Sequence, residues 1–175
     1  MKKFSVVVLL LFIFLSSCKK DNSGEDYHVS FTVNGVNKTY KGYAVAHADT
    51  ISGNITLTIL GGNSATSFDD YIGIYIDNSP TGADINAGQY EDNSSGFTLL
   101  TTYSNSGIDY EAGQSVAEDA VFYNVTIPNH FKVNISSMDG KTAKGTFSGD
   151  YYEDGDVQTG TKLSITNGDF YVKFQ

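Results

Sequence analysis

The chain of 175 residues contains one cysteine, two prolines and no tryptophan. The single cysteine, Cys18, excludes a disulfide framework within the chain, because such a framework needs an even set of cysteines. The scarcity of proline beside 18 glycines indicates many turns and few rigid linkers. A chain of this length can bury about 70% of its unfolded surface, so it needs neither disulfides nor a structural metal to fold.

Positive charge is also scarce. The chain has 11 Lys and Arg residues against 20 Asp and Glu residues, which gives a formal net charge of −9. Binding of DNA or RNA depends on a basic surface, so this balance argues against a nucleic acid partner and against electrostatic docking on anionic lipid. An acidic surface is typical of a domain that must stay soluble outside the cytoplasm.

Only one long apolar run is present, about 12 residues from Phe4 to Leu15, and it follows Lys2 and Lys3. A membrane span needs about 20 apolar residues, whereas a short run after positive residues is typical of a cleaved secretory signal. Residues 15–18, Leu-Ser-Ser-Cys, resemble the lipobox of bacterial lipoproteins. The resemblance implies cleavage before Cys18, diacylglycerol on its sulfur and acylation of the new N-terminus, and several acyl chains anchor a protein far more firmly than one.

The sequence thus predicts three segments: a lipoprotein signal peptide at 1–17, a flexible tether at 18–26 and an all-β domain at 27–175. The tether is polar and has no hydrophobic periodicity. Its start, Cys-Lys-Lys-Asp at 18–21, resembles many Bacteroidota lipoproteins, in which lysine followed by acidic residues directs export to the outer leaflet. The resemblance implies a lipid-anchored protein of the cell envelope, in the outer membrane, and leaves open whether the domain faces the periplasm or the cell surface.

Alternation of apolar and polar side chains dominates from Tyr27 onward and predicts about ten strands and no helix. The predicted strands lie near residues 29–33, 36–48, 55–59, 71–76, 97–103, 121–127, 131–135, 142–152, 163–165 and 170–174. Asn34-Gly35 predicts a hairpin, because both residues tolerate the positive φ of a type I′ turn. Residues 104–118 are predicted as the longest loop. The pattern predicts an antiparallel two-sheet β-sandwich, with a closed lipocalin-like β-barrel as the alternative.

Three short patterns in the last third of the chain carry a family resemblance. They are Phe-x-Val-x-Ile at 131–135, Gly-Thr-Phe-Ser at 145–148 and Thr-Asn-Gly-Asp-Phe at 166–170. They resemble a family of Bacteroidota envelope lipoproteins of unknown function, whose first extended run also ends in Val-Asn-Gly, here at 33–35. The tryptophan usual after that hairpin is absent, and we expect Tyr40 to take its place. The resemblance implies an all-β fold and an envelope location, and it carries over no catalytic residue.

No motif in the sequence predicts catalysis. The Gly-x-Ser-x-Gly turn of serine hydrolases is missing, and His28, His47 and His130 lack the spacing of zinc ligands. Asp150, Glu153, Asp154 and Asp156 surround a turn with a glycine and are weak candidates for a Ca²⁺ site, because Ca²⁺ prefers carboxylate oxygens. Their spacing is not that of an EF-hand, so we expect no metal, no cofactor and no enzymatic activity.

Tyrosine is the residue type that most favours recognition in this sequence. Tyr71, Tyr75 and Tyr123 form a candidate binding surface, since a tyrosine ring offers contact area together with a polar tip. The alternative is that these rings are simply packed against the second sheet. We therefore expect a non-catalytic binding or adhesive module whose partner is a glycan or an envelope protein. A structural or assembly lipoprotein, a carboxylate-dependent carbohydrate hydrolase and a lipid carrier are the alternatives.

Overall fold

The computed structural model describes residues 26–51, 54–79, 81–94 and 96–175. The predicted signal peptide, the predicted lipidation site Cys18 and the tether up to residue 25 lie outside these described residues. Within the described ranges, no helix is both long and apolar enough to cross a membrane.

The described chain is almost entirely β-structure, which confirms the predicted all-β class. Its elements are β1 (His28–Val33), β2 (Val36–Tyr40), β3 (Tyr43–Ile51), β4 (Asn54–Gly62), β5 (Asp70–Asp77), β6 (Gly88–Glu91), β7 (Thr98–Asn105), β8 (Ile108–Gly113), α1 (Gln114–Phe122), β9 (Lys132–Met138), β10 (Thr142–Glu153) and β11 (Lys162–Phe174).

The strands form one sheet in the order β2-β1-β11-β3-β4-β5-β7-β8-β10-β9-β6. Strand β11 pairs with β10 as well as with β1 and β3, so the sheet curves back on itself. The pairing of β11 with β3 is parallel, and the other pairings are antiparallel. Distant parts of the sheet meet across the interior: the ring of Phe31 on β1 lies 5.4 Å from that of Tyr103 on β7, although β11, β3, β4 and β5 separate these two strands.

The core lies between these facing parts and is rich in aromatic side chains. Phe31 packs its ring against Tyr40, Tyr103 and Phe147 at centroid distances of 5.4 to 5.9 Å. All four side chains are almost fully buried. The inward positions follow the alternation of the sequence: on β5 the residues at 72, 74 and 76 are buried and their neighbours are half-buried, as period two predicts.

Two predicted hairpins are confirmed. Asn34 and Gly35 have φ angles of 45° and 83°, and Val33 pairs with Val36 on either side of them. These are the positive angles of the type I′ turn that the sequence predicts. The turn at 139–140 likewise joins the antiparallel strands β9 and β10.

The strand predicted at 121–127 and the loop predicted at 104–118 are wrong. Strand β7 continues to residue 105, β8 returns at 108–113, and α1 follows at once. Gly113 makes this change of direction possible, because its φ is 110° and a Cβ there would lie 2.2 Å from the carbonyl oxygen of Leu99. Helix α1 buries Val116, Ala117 and Ala120 in a second apolar cluster with Tyr152 of β10.

Two further boundaries differ from the prediction. The strand predicted over 36–48 is interrupted between β2 and β3 at residues 41–42. Asn167-Gly168 does not end a strand; Asn167 has a φ of 51° within the continuous strand β11. The register against β1 and β10 shifts by one residue at this point, so the pair forms a bulge instead of a turn. The short strand β6 falls within a stretch that the sequence did not assign.

His28 fixes the beginning of β1. Its Nδ1 and Nε2 atoms lie 2.7 Å from the carbonyl oxygen of Asp26 and from Oδ1 of Asp169. Both partners accept hydrogen bonds, so the protonated ring satisfies both. Burial lowers the pKa of His28, but the two hydrogen bonds and the charges of Asp26 and Asp169 outweigh burial and raise its pKa above the ordinary value of 6.5.

We expect this contact to make stability depend on pH. Because the pKa of His28 is higher in the folded state than in the unfolded state, its stabilisation is complete below about pH 6.5 and is lost as the pH rises through the folded pKa. Urea unfolding between about pH 5 and pH 8 should show the free energy of unfolding falling with pH more steeply in the wild type than in His28→Gln. Equal slopes in the two proteins would contradict this role of His28.

Candidate functional site

A groove with polar walls crosses the outer surface of β9, β10 and β11. It consists of two adjoining cavities of about 430 and 420 Å³, and Lys132 and Ser148 line both of them. Pockets of this size are typical of small-ligand sites. We call this surface the polar groove; its further lining residues are Gln89, Glu91, Asn93, Pro128, Asn129, His130, Val133, Asn134, Thr146, Phe147, Gly149, Asp150, Ser164, Ile165, Thr166, Asn167 and Gly168.

The depth of the polar groove follows from the pattern of β10. Phe147, Gly149 and Tyr151 are buried in β10, and the alternate positions 146 and 148 carry small hydroxyl side chains on the outer face. Short side chains leave space above the sheet. The loop at 128–130 rises beside them and forms one wall of the first cavity.

Asp150 attaches this wall to the sheet. Its side chain is 0% exposed and accepts hydrogen bonds from Nδ2 of Asn129, Oγ of Ser164 and Nζ of Lys162. The backbone N–H of Asp150 also donates to the carbonyl oxygen of Asn129 at 2.9 Å. A buried carboxylate needs such partners, and here they connect the wall to β10 and β11.

Asp92 holds the same wall from the opposite side. Its side chain is 2% exposed; Oδ1 lies 2.7 Å from Nδ1 of His130, and Oδ2 accepts the backbone N–H of Phe131 at 2.7 Å. Burial raises the pKa of Asp92, against the opposing effects of Phe131 and His130. Two buried carboxylates thus clamp three successive residues, 129–131, and fix the position of this wall.

His130 is therefore oriented by a carboxylate while its ring stays accessible. Its side chain is 43% exposed and lines the polar groove. No hydrogen bond found among the described residues uses its Nε2. When Nδ1 carries the proton that Asp92 accepts, Nε2 of the neutral ring is a hydrogen-bond acceptor, and a protonated ring offers a donor there.

The floor of the polar groove offers unused hydrogen-bonding groups. Its side chains include an ammonium, two amides and three hydroxyls for which the described residues supply no side-chain hydrogen bond: Lys132, Asn134, Asn167, Thr146, Ser148 and Thr166. By contrast, the donors around the clamped wall, Asn129 Nδ2, Phe131 N–H and Ser164 Oγ, already donate to the two buried carboxylates. The floor is free to bind a ligand on a rigid, hydrogen-bonded sheet.

The predicted tyrosine surface lies elsewhere. Tyr71 and Tyr75 are half-buried on the outer side of β5, as the alternation predicts. Tyr71 packs against Phe68 at a centroid distance of 5.5 Å, and the hydroxyls of Tyr75 and Thr56 lie 3.3 Å apart. Burial and the charges of two nearby carboxylates raise the pKa of Tyr71. Tyr123 follows α1, so it does not share a strand face with the other two, and none of the three lines the polar groove.

The four weak metal candidates have separate structural contacts. Asp150 is paired with Lys162 at 3.2 Å. Asp156 accepts the backbone N–H groups of residues 158 and 159, and these contacts, with the Thr159 hydroxyl, lower its pKa. Asp154 has a φ of 52° in the turn that also contains Glu153. Among the described residues, no three His, Cys, Asp or Glu side chains are placed together as ligands for a metal ion.

Helix α1 adds a second exposed feature that the sequence did not predict. A third cavity of about 420 Å³ lies between α1 and the turn at 92–94, with Ala117, Val121 and His130 in its lining. At the end of α1, Val121 is 82%, Phe122 80% and Tyr123 47% exposed. Three successive exposed apolar side chains form what we call the helix tip. Exposed apolar clusters of this kind are often interaction surfaces.

Sequence reasoning missed the polar groove because its parts are far apart in the chain. His130 lacks the spacing of a zinc ligand, and its partner Asp92 is 38 residues away in the sequence. No spacing rule connects such a pair. The one available signal was the concentration of serine, threonine and asparagine on the outer positions of the last three strands, and polar outer positions are also expected of any solvated sheet.

Comparisons of the chain with protein-family models, curated protein sequences and solved structures find no match.

Proposed function

We propose that this protein is a non-catalytic binding module of the cell envelope, anchored in the outer membrane by lipid on Cys18, with the polar groove as its ligand site. The observation that carries the proposal is the polar groove itself: unused polar side chains on a rigid floor, beside a wall that Asp92 and Asp150 hold in place. Preorganised polar groups lower the entropic cost of binding. The lipobox supports the anchor, and the three C-terminal patterns support membership in the Bacteroidota lipoprotein family.

The hydrolase alternative receives less support from the same site. A glycoside hydrolase needs two carboxyl groups flanking the scissile bond. Two acidic residues line the polar groove, Glu91 and Asp150. Asp150 is buried and paired with Lys162, so the half-buried Glu91 has no second carboxylate beside it that is free to act on a substrate. The lipid-carrier alternative requires an apolar cavity, whereas the core contains the packed rings of Phe31, Tyr103 and Phe147.

The helix tip favours a second candidate function, that of an assembly lipoprotein that contacts another envelope protein. Phe122 and Val121 are the most exposed large apolar side chains of the described residues. Glu118 and Asp119 are exposed on the same helix and flank the tip with negative charge. These acids disfavour a second copy of this chain and an anionic lipid surface, so the partner that fits is a protein with an apolar pocket bordered by Lys or Arg side chains.

The anchor predicts a specific modification. Cells that express the chain and are fed radioactive palmitate should label it, and mass spectrometry should find the mature N-terminus at Cys18 with acyl groups. Cys18→Ala should abolish labelling and leave the protein unanchored. An unmodified N-terminus at Cys18, or labelling that persists in Cys18→Ala, would contradict the anchor.

The ligand site predicts a loss of retention on envelope fragments. With Cys18→Ala as the common background, which removes the anchor, the purified chain should bind envelope fragments at least about tenfold more tightly than its Lys132→Ala/Asn134→Ala variant, about 1.4 kcal/mol. Lys173→Ala is the matched control, because Lys173 is exposed on β11 and lies outside the polar groove.

The same assay separates the two candidate functions. Retention that survives the double variant and is lost in Phe122→Ser would favour the helix tip and contradict the polar groove as the binding site. Retention unchanged in every variant would contradict both.

A further inference from the structure

The charge of the polar groove differs from that of the chain. The whole chain has a formal net charge of −9, yet Lys132 is the one ionisable residue in the lining of the second cavity. In the first cavity the charge of Asp150 is balanced by Lys162 at 3.2 Å, and Glu91 lies directly opposite Lys132 on paired strands. The site is therefore close to neutral, which favours an uncharged ligand over a polyanion or a polycation.

The chemistry of the floor favours a ligand with many hydroxyl groups. Asn134 and Asn167 each offer donors and an acceptor, and the hydroxyls of Thr146, Ser148 and Thr166 can serve in either role. These side chains are exposed or half-buried and lack side-chain partners within the described chain, so a ligand that displaces their water must offer both donors and acceptors in its place. A sugar hydroxyl is both at once.

The strand pairing argues against an extended peptide as the ligand. Strand β10 is hydrogen-bonded to β9 on one side and to β11 on the other, and β11 is covered by β10 and β1 along the polar groove. Peptides that bind by strand addition need a free edge. Strands β9, β10 and β11 present none, and the edge strand that borders the polar groove, β6, is only four residues long. The apolar side chains in the lining are Pro128 and Ile165 in the first cavity and Val133 and Phe147 in the second. Of these only Pro128 is exposed, and the other three are buried in the sheet, so the polar groove offers a lipid few apolar side chains to contact.

The two cavities adjoin at Lys132 and Ser148, so one extended molecule can occupy both. We propose that the polar groove binds a neutral oligosaccharide of several sugar units that crosses Ser148 and reaches His130. This inference rests on the proposed function, because it assigns a ligand class to the same site. The Nε2 atom of His130, held in orientation by Asp92, binds a hydroxyl at one end of the chain of sugars.

The test uses neutral hexasaccharides of glucose, mannose, xylose and N-acetylglucosamine as probes, with isothermal titration calorimetry on the purified Cys18→Ala chain. We expect at least one hexasaccharide to bind about tenfold or more tightly than its monosaccharide, because only the longer probe fills both cavities. Ser148→Trp, which fills the junction, should weaken hexasaccharide binding at least tenfold. Ser136→Trp is the matched control, since Ser136 is exposed on β9 and does not line the polar groove.

Three results would overturn the inference. In the first, a charged hexagalacturonate or a mixed peptide library binds, no neutral probe binds, and Ser148→Trp weakens this binding; that result would retain the site and refute the ligand class. Hexasaccharide binding equal in the wild type and in Ser148→Trp would refute the site together with the proposed function. In the third, no neutral probe binds at millimolar concentration, which would refute the ligand class. The retention assay on envelope fragments would then test the proposed function separately.

Discussion

Replacing Asp150 with alanine is expected to lower the free energy of unfolding by about 3 kcal/mol and to weaken ligand binding in the polar groove. The substitution leaves Asn129 and Ser164 without the acceptor that now satisfies them, and it breaks the pair with Lys162. The Lys162 side chain is 43% exposed, so water can solvate its ammonium group once Asp150 is removed. The loss of stability therefore lies at the lower end of the range for breaking a buried ion pair. Urea denaturation measures the loss of stability.

A second measurement tests where the loss occurs. Amide hydrogen exchange in Asp150→Ala should accelerate at residues 126–131, because the wall loses its contact with β10 while the hairpin of β1 and β2 is untouched. Asp156→Ala is the matched control: this carboxylate is exposed and caps a turn, so its loss should lower stability much less than the loss of Asp150. If the two alanine variants are equally stable, Asp150 does not anchor the wall.

Replacing Phe31 with alanine is expected to have the largest effect on stability, about 4 kcal/mol. Phe31 is 2% exposed and lies where the two facing parts of the sheet meet, with the rings of Tyr40, Tyr103 and Phe147 around it. Alanine would leave a cavity between rings that cannot close without bending the sheet. Thermal and urea unfolding should both report the loss.

Phe68→Ala provides the comparison for this prediction. Phe68 is 62% exposed and has one ring contact, with Tyr71. Its removal should cost less than about 1 kcal/mol, within the range of an exposed aromatic pair. A Phe31→Ala protein as stable as Phe68→Ala would show that the sheet does not depend on the aromatic core for its closure.

The strands could be predicted because their alternation is strong and local. The residues at 72, 74 and 76 face inward on β5, and Asn34-Gly35 turns the chain as expected. Each of these features depends on residues within a few positions of one another. Pairing between distant strands has no such local signal, so the parallel contact of β11 with β3 could not be predicted from the sequence.

Helix α1 could not be predicted because residues 114–118 fall in the stretch predicted as a loop, and its last two residues, Val121 and Phe122, fall in the stretch predicted as a strand. Alternating apolar residues at 121, 123, 125 and 127 suggested a strand, but the first two are exposed and Ile127 is buried. The helix is determined instead by Gly113, whose positive φ redirects the chain, and by small side chains that fit under it. Tertiary packing overrode a pattern of only four residues.

The candidate site could be predicted only in fragments. The sequence offers Asp150 only as a weak candidate for a Ca²⁺ site and predicts no metal, and the partner that the fold supplies, Lys162, could not be predicted from it. The clamp formed by Asp92 and His130 depends on the pairing of β6 with β9, which brings together residues 38 positions apart. The sequence shows which side chains carry charges and hydrogen-bonding groups. It does not show which of them lie next to one another in the fold.

The pairing of β1 with β11 has a consequence for the rate at which the protein folds. Asn34 at the end of β1 binds the backbone N–H of Ser164, 130 positions later in the chain. Pairing between the first and the last strand of the chain raises the contact order, and proteins with high contact order fold slowly. Slow folding fits the envelope location proposed above, because a protein exported through a translocation channel must cross it before it folds.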